Sequence, residues 1–191
     1  MDVYKAILSR RSIRRFQQKQ INIDVLKKFV NAGRLAPSAA NLQPVEYYVV
    51  NDKDLCSKIF ETTGWAGYIK PKWTPNHDER PVAYIVMLVK NTKNDWHVRD
   101  VSLASENIVL CAETENIGSC ILYNINRDKI RNILSIPDEY VIDSLIALGY
   151  KAEKCVAEDM KGDSVQYWRD GNHVLHVPKR KIEDILHINK F

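Results

Sequence analysis

Arg10-Arg11-Ser12-Ile13-Arg14-Arg15-Phe16 follows a short helical pattern near the N-terminus and decides how the rest of the chain is read. Four guanidinium groups and one hydroxyl within six residues place fixed positive charge and fork-shaped donors where a dianion can be held bidentately. A solvated basic face is the other reading of such a cluster. Upstream, residues 2 to 10 carry a capping-type Asp2 and apolar Val3, Ala6 and Ile7, the pattern of a short amphipathic helix that delivers the basic segment. Downstream, the spacing of Val25, Leu26, Phe29 and Val30 predicts a second helix from about Ile23 to Leu35, N-capped by Asn22 and bracketed at its end by Gly33 and Pro37. It leads into Ala36-Pro37-Ser38-Ala39-Ala40-Asn41-Leu42-Gln43-Pro44, a segment rich in turn formers.

Further out, Glu46 to Val50 reads as a strand, Asp54 to Thr62 as a helix, and Pro81 to Val89 as a central strand apolar on both faces. Between these last two, Thr63 to Pro81 mixes Gly, Pro, Trp and charge without a period. A long loop of this kind is a source of substrate-facing aromatics such as Trp65, Tyr68 and Trp73, or else a satellite cluster over the core. A long helix is expected from Asp95 or His97 to about Glu115, with Val101, Ala104, Ser105, Ile108, Val109 and Ala112 at core spacing. Gly118 to Tyr123 and Leu145 to Tyr150 read as strands, Asp128 to Leu134 as a short helix, and Ile182 to Ile188 as the start of a final helix. No repeat or low-complexity linker divides the chain, so residues 1–191 are read as one domain.

At 191 residues a chain buries a sizeable core. Its longest apolar run, Val82 to Val89, is far short of the ~20 residues a membrane-spanning helix needs, so no membrane partner is expected. The N-terminus has no apolar stretch behind a basic start, and a cytoplasmic protein is expected. A net charge of +4, with acids and bases interleaved, does not call for a nucleic-acid partner. The four cysteines, Cys56, Cys111, Cys120 and Cys155, form no metal-ligand spacing, and there is no HExxH, Walker or Gly-x-Gly-x-x-Gly motif.

The order RRSIRxF, then PSAxNxQP, then Glu115-Asn116-Ile117-Gly118-Ser119-Cys120, then Leu148-Gly149-Tyr150-Lys151-Ala152-Glu153 resembles the flavin-dependent nitroreductase family over almost the whole chain. The resemblance implies an α+β fold: a three-layer α/β/α arrangement around a mainly antiparallel sheet, assembled as an intertwined homodimer with FMN at the subunit interface. It implies that Arg10, Arg11 and Ser12 bind the phosphate and ribityl end, and that Arg14 sits near the pyrimidine edge of the ring. A fixed cation there stabilises the reduced flavin. Pro37, Ser38 and Asn41 match positions that reach a flavin across the dimer interface; the backbone near Leu122, Tyr123 and Asn124 matches the stretch beside ring N5; Lys179 and Arg180 match a C-terminal basic pair at the phosphate. Arg15 has no assigned role and is read as surface.

The implied activity is ping-pong transfer of hydride from NAD(P)H through FMN to an electron-poor acceptor such as a nitroaromatic or quinone. No side-chain acid or base is required. Two departures from the family pattern stand out, Tyr123-Asn124 where Gly-Gly is common and Lys151 where proline is usual. Bulk at Tyr123 and around Trp65 to Trp73 leaves open a flavin-binding sensor or storage protein with little turnover. A salt-sensitive nucleic-acid binder is a third class.

Overall fold

Strand β3, Ala83–Lys90, is buried along almost its whole length, and its two sets of alternate side chains enter two separate hydrophobic clusters. Tyr84, Val86 and Leu88 pack on one side; Ala83, Ile85, Met87 and Val89 pack on the other. A strand with no wet face must lie in a sheet covered twice, and this computed structural model, which describes residues 1–90 and 96–190, shows those layers.

On one face lie helices α2, Ile23–Arg34, and α4, His97–Thr114; on the other lie α3, Lys53–Phe60, and α5, Arg127–Leu134. The α4 start falls at His97, while Asp95 lies outside the described residues. Side chains of Asn22, Asp52 and Asn126 accept the main-chain N–H groups that open α2, α3 and α5, caps worth about 1 kcal/mol each. Helices α2 and α4 approach closely because Gly33 has no side chain; a Cβ there would meet Ile108 at 2.9 Å.

The main sheet is antiparallel at every pairing. Its hub is β5, Tyr140–Lys151, which pairs with β3, with β4, Ile117–Leu122, and with the short β1, Phe16–Gln17; β2, Val45–Val50, pairs with β3. Helix α1, Val3–Ser9, precedes β1 and is capped by Asp2. The expected α/β/α layering is therefore met.

Beyond β5 the chain forms a second, three-stranded sheet of β6, Cys155–Asp159, β7, Trp168–Arg169, and β8, Leu175–Lys179, in the order β6-β8-β7. The final helix expected over Ile182 to Ile188 is not formed. Only a single 3-10 turn, Ile182–Asp184, is present, and its apolar side chains are exposed, so no apolar face is buried to hold a longer helix.

Candidate active site

The arginine segment begins where α1 ends. Arg11 turns its guanidinium back onto the carbonyls of Arg10 and Leu8, the latter at 2.7 Å, which serves the unpaired carbonyls of the last helical turn. Arg10 Nε lies 3.3 Å from Glu106 Oε1 on α4.

From Ser12 onward the segment is stitched on both sides. Ser12 bridges Ser119, and Ile13 N donates to Ser119 O at 2.9 Å. The N–H groups of Arg14 and Arg15 donate to one oxygen of Glu153, at 2.5 and 3.2 Å. Ala152 N donates to Arg15 O at 3.0 Å, and Phe16 pairs with Lys151 in β5.

Two glycines make room for this course. A Cβ on Gly118 would lie 2.8 Å from Ile13 Cβ, and one on Gly149 would lie 2.8 Å from Phe16 Cβ. The glycines of Gly118-Ser119-Cys120 and Leu148-Gly149-Tyr150 thus let buried Ile13 and Phe16 lie directly on β4 and β5.

The polar side chains of the segment face outward from that seam. Arg14 lies 4.9 Å from the Tyr167 ring and forms no ion pair among the described residues. Arg15, read from the sequence as surface, is instead engaged: its Nε is 3.5 Å from Glu79 Oε1, and its guanidinium is 5.3 Å from the Trp73 ring. Cys155 Sγ donates to Ser12 O at 3.7 Å. Burial, then the Glu153 carboxylate, push that thiol up to about 12, so it stays protonated and packs.

The second expected segment is built differently. Ser38 Oγ accepts Gln43 N at 3.0 Å, and Ala39 N donates to Asp100 Oδ1 on α4 at 3.0 Å. Ala40, Asn41 and Gln43 all hold positive φ, near 50°, a left-handed run that leaves Pro37 and Asn41 exposed. Ser38 and Asp100 line a small cleft of about 130 Å³ with Tyr47 and Gly33.

Leu122 ends β4 inside the core, whereas Tyr123 is 55% exposed. Asn124 O accepts Gly64 N at 2.8 Å, and its side chain fills the space beside Gly64, where a Cβ would meet Nδ2 at 2.1 Å. The long loop is therefore pinned at Asn124. Its aromatics divide: Trp65 is core, stacked on Phe60 at 5.8 Å; Trp73 is partly buried against the arginines; Tyr68 is exposed and lies 5.1 Å from Tyr167.

Lys179 and Arg180 are exposed at the end of β8, and Arg180 donates to Asp184 O at 2.7 Å within its own turn. Among the described contacts none joins them to Arg10 or Arg11. The small sheet and the residues that lead into it do meet the arginine segment, but through Cys155 of β6 and through Glu153 and Tyr167, just ahead of β6 and β7.

The model of the nitroreductase family matches residues 7–150. The chain belongs to that family. A Methanothermobacter thermautotrophicus protein, provisionally named NADH dehydrogenase/NAD(P)H nitroreductase, is 31% identical over 166 residues, covering 84% of this chain and 83% of its own. An Archaeoglobus fulgidus protein of the same provisional name is 33% identical over 154 residues, covering 78% and 86%. A solved FMN-dependent nitroreductase from Clostridium difficile R20291 superposes with a TM-score of 0.69 at 26% identity, over 97% of this chain and 98% of its own.

In this member of the family the electrostatics single out Arg11. Burial, and after it the neighbouring Arg10 charge, hold its guanidinium below the usual arginine range. Its Nε is buried with no hydrogen-bond partner among the described residues. Two adjacent cations, each with a buried Nε that makes no hydrogen bond among the described residues, are what an anion would relieve.

Sequence reasoning gave no role to Glu153, Tyr167, Arg169 or Asp100. Glu153 stood in the quoted Leu148 to Glu153 motif, yet only the fold shows that its carboxylate receives Arg14 and Arg15. Asp100 had no signal, being one acid in a helix.

Proposed function

We propose that this chain is an FMN-dependent oxidoreductase that takes hydride from NAD(P)H and reduces an electron-poor acceptor such as a nitroaromatic or quinone. The observation that carries this reading is the half-buried arginine pair, in which Arg11 Nε lacks a partner beside the Arg10 charge. A phosphate dianion fits that donor set, and the names of the relatives supply the redox chemistry.

Arg10, Arg11 and Ser12 bind the phosphate end, where charge-assisted bonds are short and strong. Lys179 and Arg180 stand as further cations for the same group. Arg14, carrying no carboxylate partner among the described residues, offers a fixed positive charge at the pyrimidine edge. The main chain of Leu122, Tyr123 and Asn124 would hold the ring, and Tyr123 is exposed beside it, where a planar acceptor would enter. Bound there, FMN supplies two-electron redox chemistry: the nicotinamide is oxidised, the acceptor is reduced, and solvent provides the protons.

Pro37, Ser38 and Asn41 complete the set from a second copy of the chain. Helix α1 turns Val3, Tyr4, Ile7 and Leu8 to solvent, and the tail exposes Ile182, Ile185, Leu186 and Ile188, apolar surface that suits a homodimer. The test is the absorbance of the purified protein, with a band near ~450 nm expected for bound oxidised flavin. NADH and NADPH oxidation with a nitroaromatic follows. A protein that is colourless, takes up no added FMN and runs as a monomer overturns the reading.

A further inference from the structure

Glu153 is the most enclosed carboxylate in contact with the arginine segment, its side chain 1% exposed. Both oxygens are used. Oε1 accepts the main-chain N–H groups of Arg14 and Arg15, and Oε2 accepts Arg169 Nη2 at 2.8 Å. Arg169 belongs to β7, and its guanidinium lies 5.4 Å from the ring of Trp73, the same ring that Arg15 approaches. One buried anion therefore joins the arginine segment, the long loop and the small sheet. Glu153 lies three positions past the last residue matched by the family model.

We propose that Glu153 is a positioning residue, which fixes the backbone of Arg14 and thereby aims the Arg14 guanidinium at the cofactor site. The proposal rests on the flavin reading above. Its physical basis is acceptor geometry: three N–H donors converge on two oxygens, and only a carboxylate presents an acceptor at both. Glutamine keeps the size but turns an NH2 toward either Arg169 or the two main-chain donors, so one contact becomes donor against donor. The lost contact loosens the backbone of Arg14 while Ile13 and Phe16 stay buried.

The test compares the parent with Glu153→Gln in three measurements: FMN affinity by fluorescence quenching, midpoint potential of the bound flavin, and amide exchange at Arg14 and Arg15 in the apoprotein. Expected are FMN binding within about threefold of the parent, a lower midpoint potential, and amide exchange at Arg14 and Arg15 about tenfold faster. A purely structural role moves the melting temperature but not the potential. A folded Glu153→Gln protein with parental potential and exchange overturns the proposal. If Glu153→Gln does not fold, Arg169→Gln removes only the donor at Oε2, and a lower midpoint potential with faster exchange is expected. Unchanged values there overturn the proposal equally. A parent that binds no FMN sinks the cofactor reading instead, and exchange at Arg14 and Arg15 alone then decides whether the clamp exists.

Discussion

Residues 10–17 and residues 37–43 carry comparable parts of the proposed site, yet the chain holds them in opposite ways. The first is sewn to β4, β5 and Glu153 by main-chain bonds, and two of its side chains are sunk into the core. The second stands out from the surface in left-handed backbone, tied to the body at Asp100. One part of the proposed site thus lies within a single chain. The other part has the exposure expected of a segment that finds its partner in a second copy, and its strain is held by the few contacts it makes.

The strongest break in this comparison comes at the glycine seams. Gly149→Ala places a methyl 2.8 Å from Phe16 Cβ, inside a pair of packed strands that cannot separate without losing their ladder. Overpacking of this kind costs about 1–3 kcal/mol, read as a lower urea midpoint. FMN affinity falls with it, because the arginine segment is what the methyl displaces.

Next in size is Arg14→Ala. Its guanidinium contacts Tyr167 and makes no ion pair among the described residues, so little stability depends on it. Turnover with a nitroaromatic is expected to fall about tenfold, about 1.4 kcal/mol in the barrier, with FMN affinity changing less than about threefold. An equal loss of binding and turnover would make Arg14 a simple phosphate ligand.

Asp100→Asn probes the other region. The substitution keeps an acceptor for Ala39 N but discards the charge, at a cost of about 1 kcal/mol. Amide exchange at Ala39 should quicken while that at Ile13 stays as in the parent. Coupled changes at both would mean that the two regions are not independent within one chain.

The contrast also explains what could be read from the sequence. Helices α2, α3 and α5 were legible to within a residue or two, because caps and apolar stripes are local signals. β3 was legible because burial on two faces leaves an unbroken apolar run. β5 was read only from Leu145, since Asp143 and Ser144 interrupt the apolar pattern in its first half, where pairing with β3 supplies the stability. The small sheet was missed. Its strands are two to five residues long, and β6 pairs in parallel with β8 across the intervening β7 segment, a contact no local pattern announces. For the same reason the motif glycines could be quoted but not explained until Ile13 and Phe16 were seen against them.

The mildest expected effect reaches the arginine segment from that small sheet. His176 on β8 stacks on Trp168 at 4.3 Å and stands between Glu158, 2.9 Å from Nδ1, and Asp170, 3.3 Å from Nε2. The hydrogen bond to Glu158, with that to Asp170, raises the imidazole above its ordinary value. The His176 bond lowers Glu158, which also lies near Lys161, and the Val174 N–H followed by His176 lowers Asp170. A raised base stabilises the fold fully below its unfolded value near ~6.5 and loses that contribution as pH climbs through the folded value. Lowered acids do the reverse, contributing above about 4.5 and failing as pH drops through their folded values. The triad should therefore help most between about pH 4.5 and 6.5. Thermal melts of the parent and His176→Gln across pH 3 to 9 should differ most in that window and converge on either side of it. Because Asp170 adjoins Arg169, the partner of Glu153, amide exchange at Arg14 should track the same window while Ala39 does not. A pH response shared by both positions would place the small sheet's influence on the whole chain and not on the arginine segment alone.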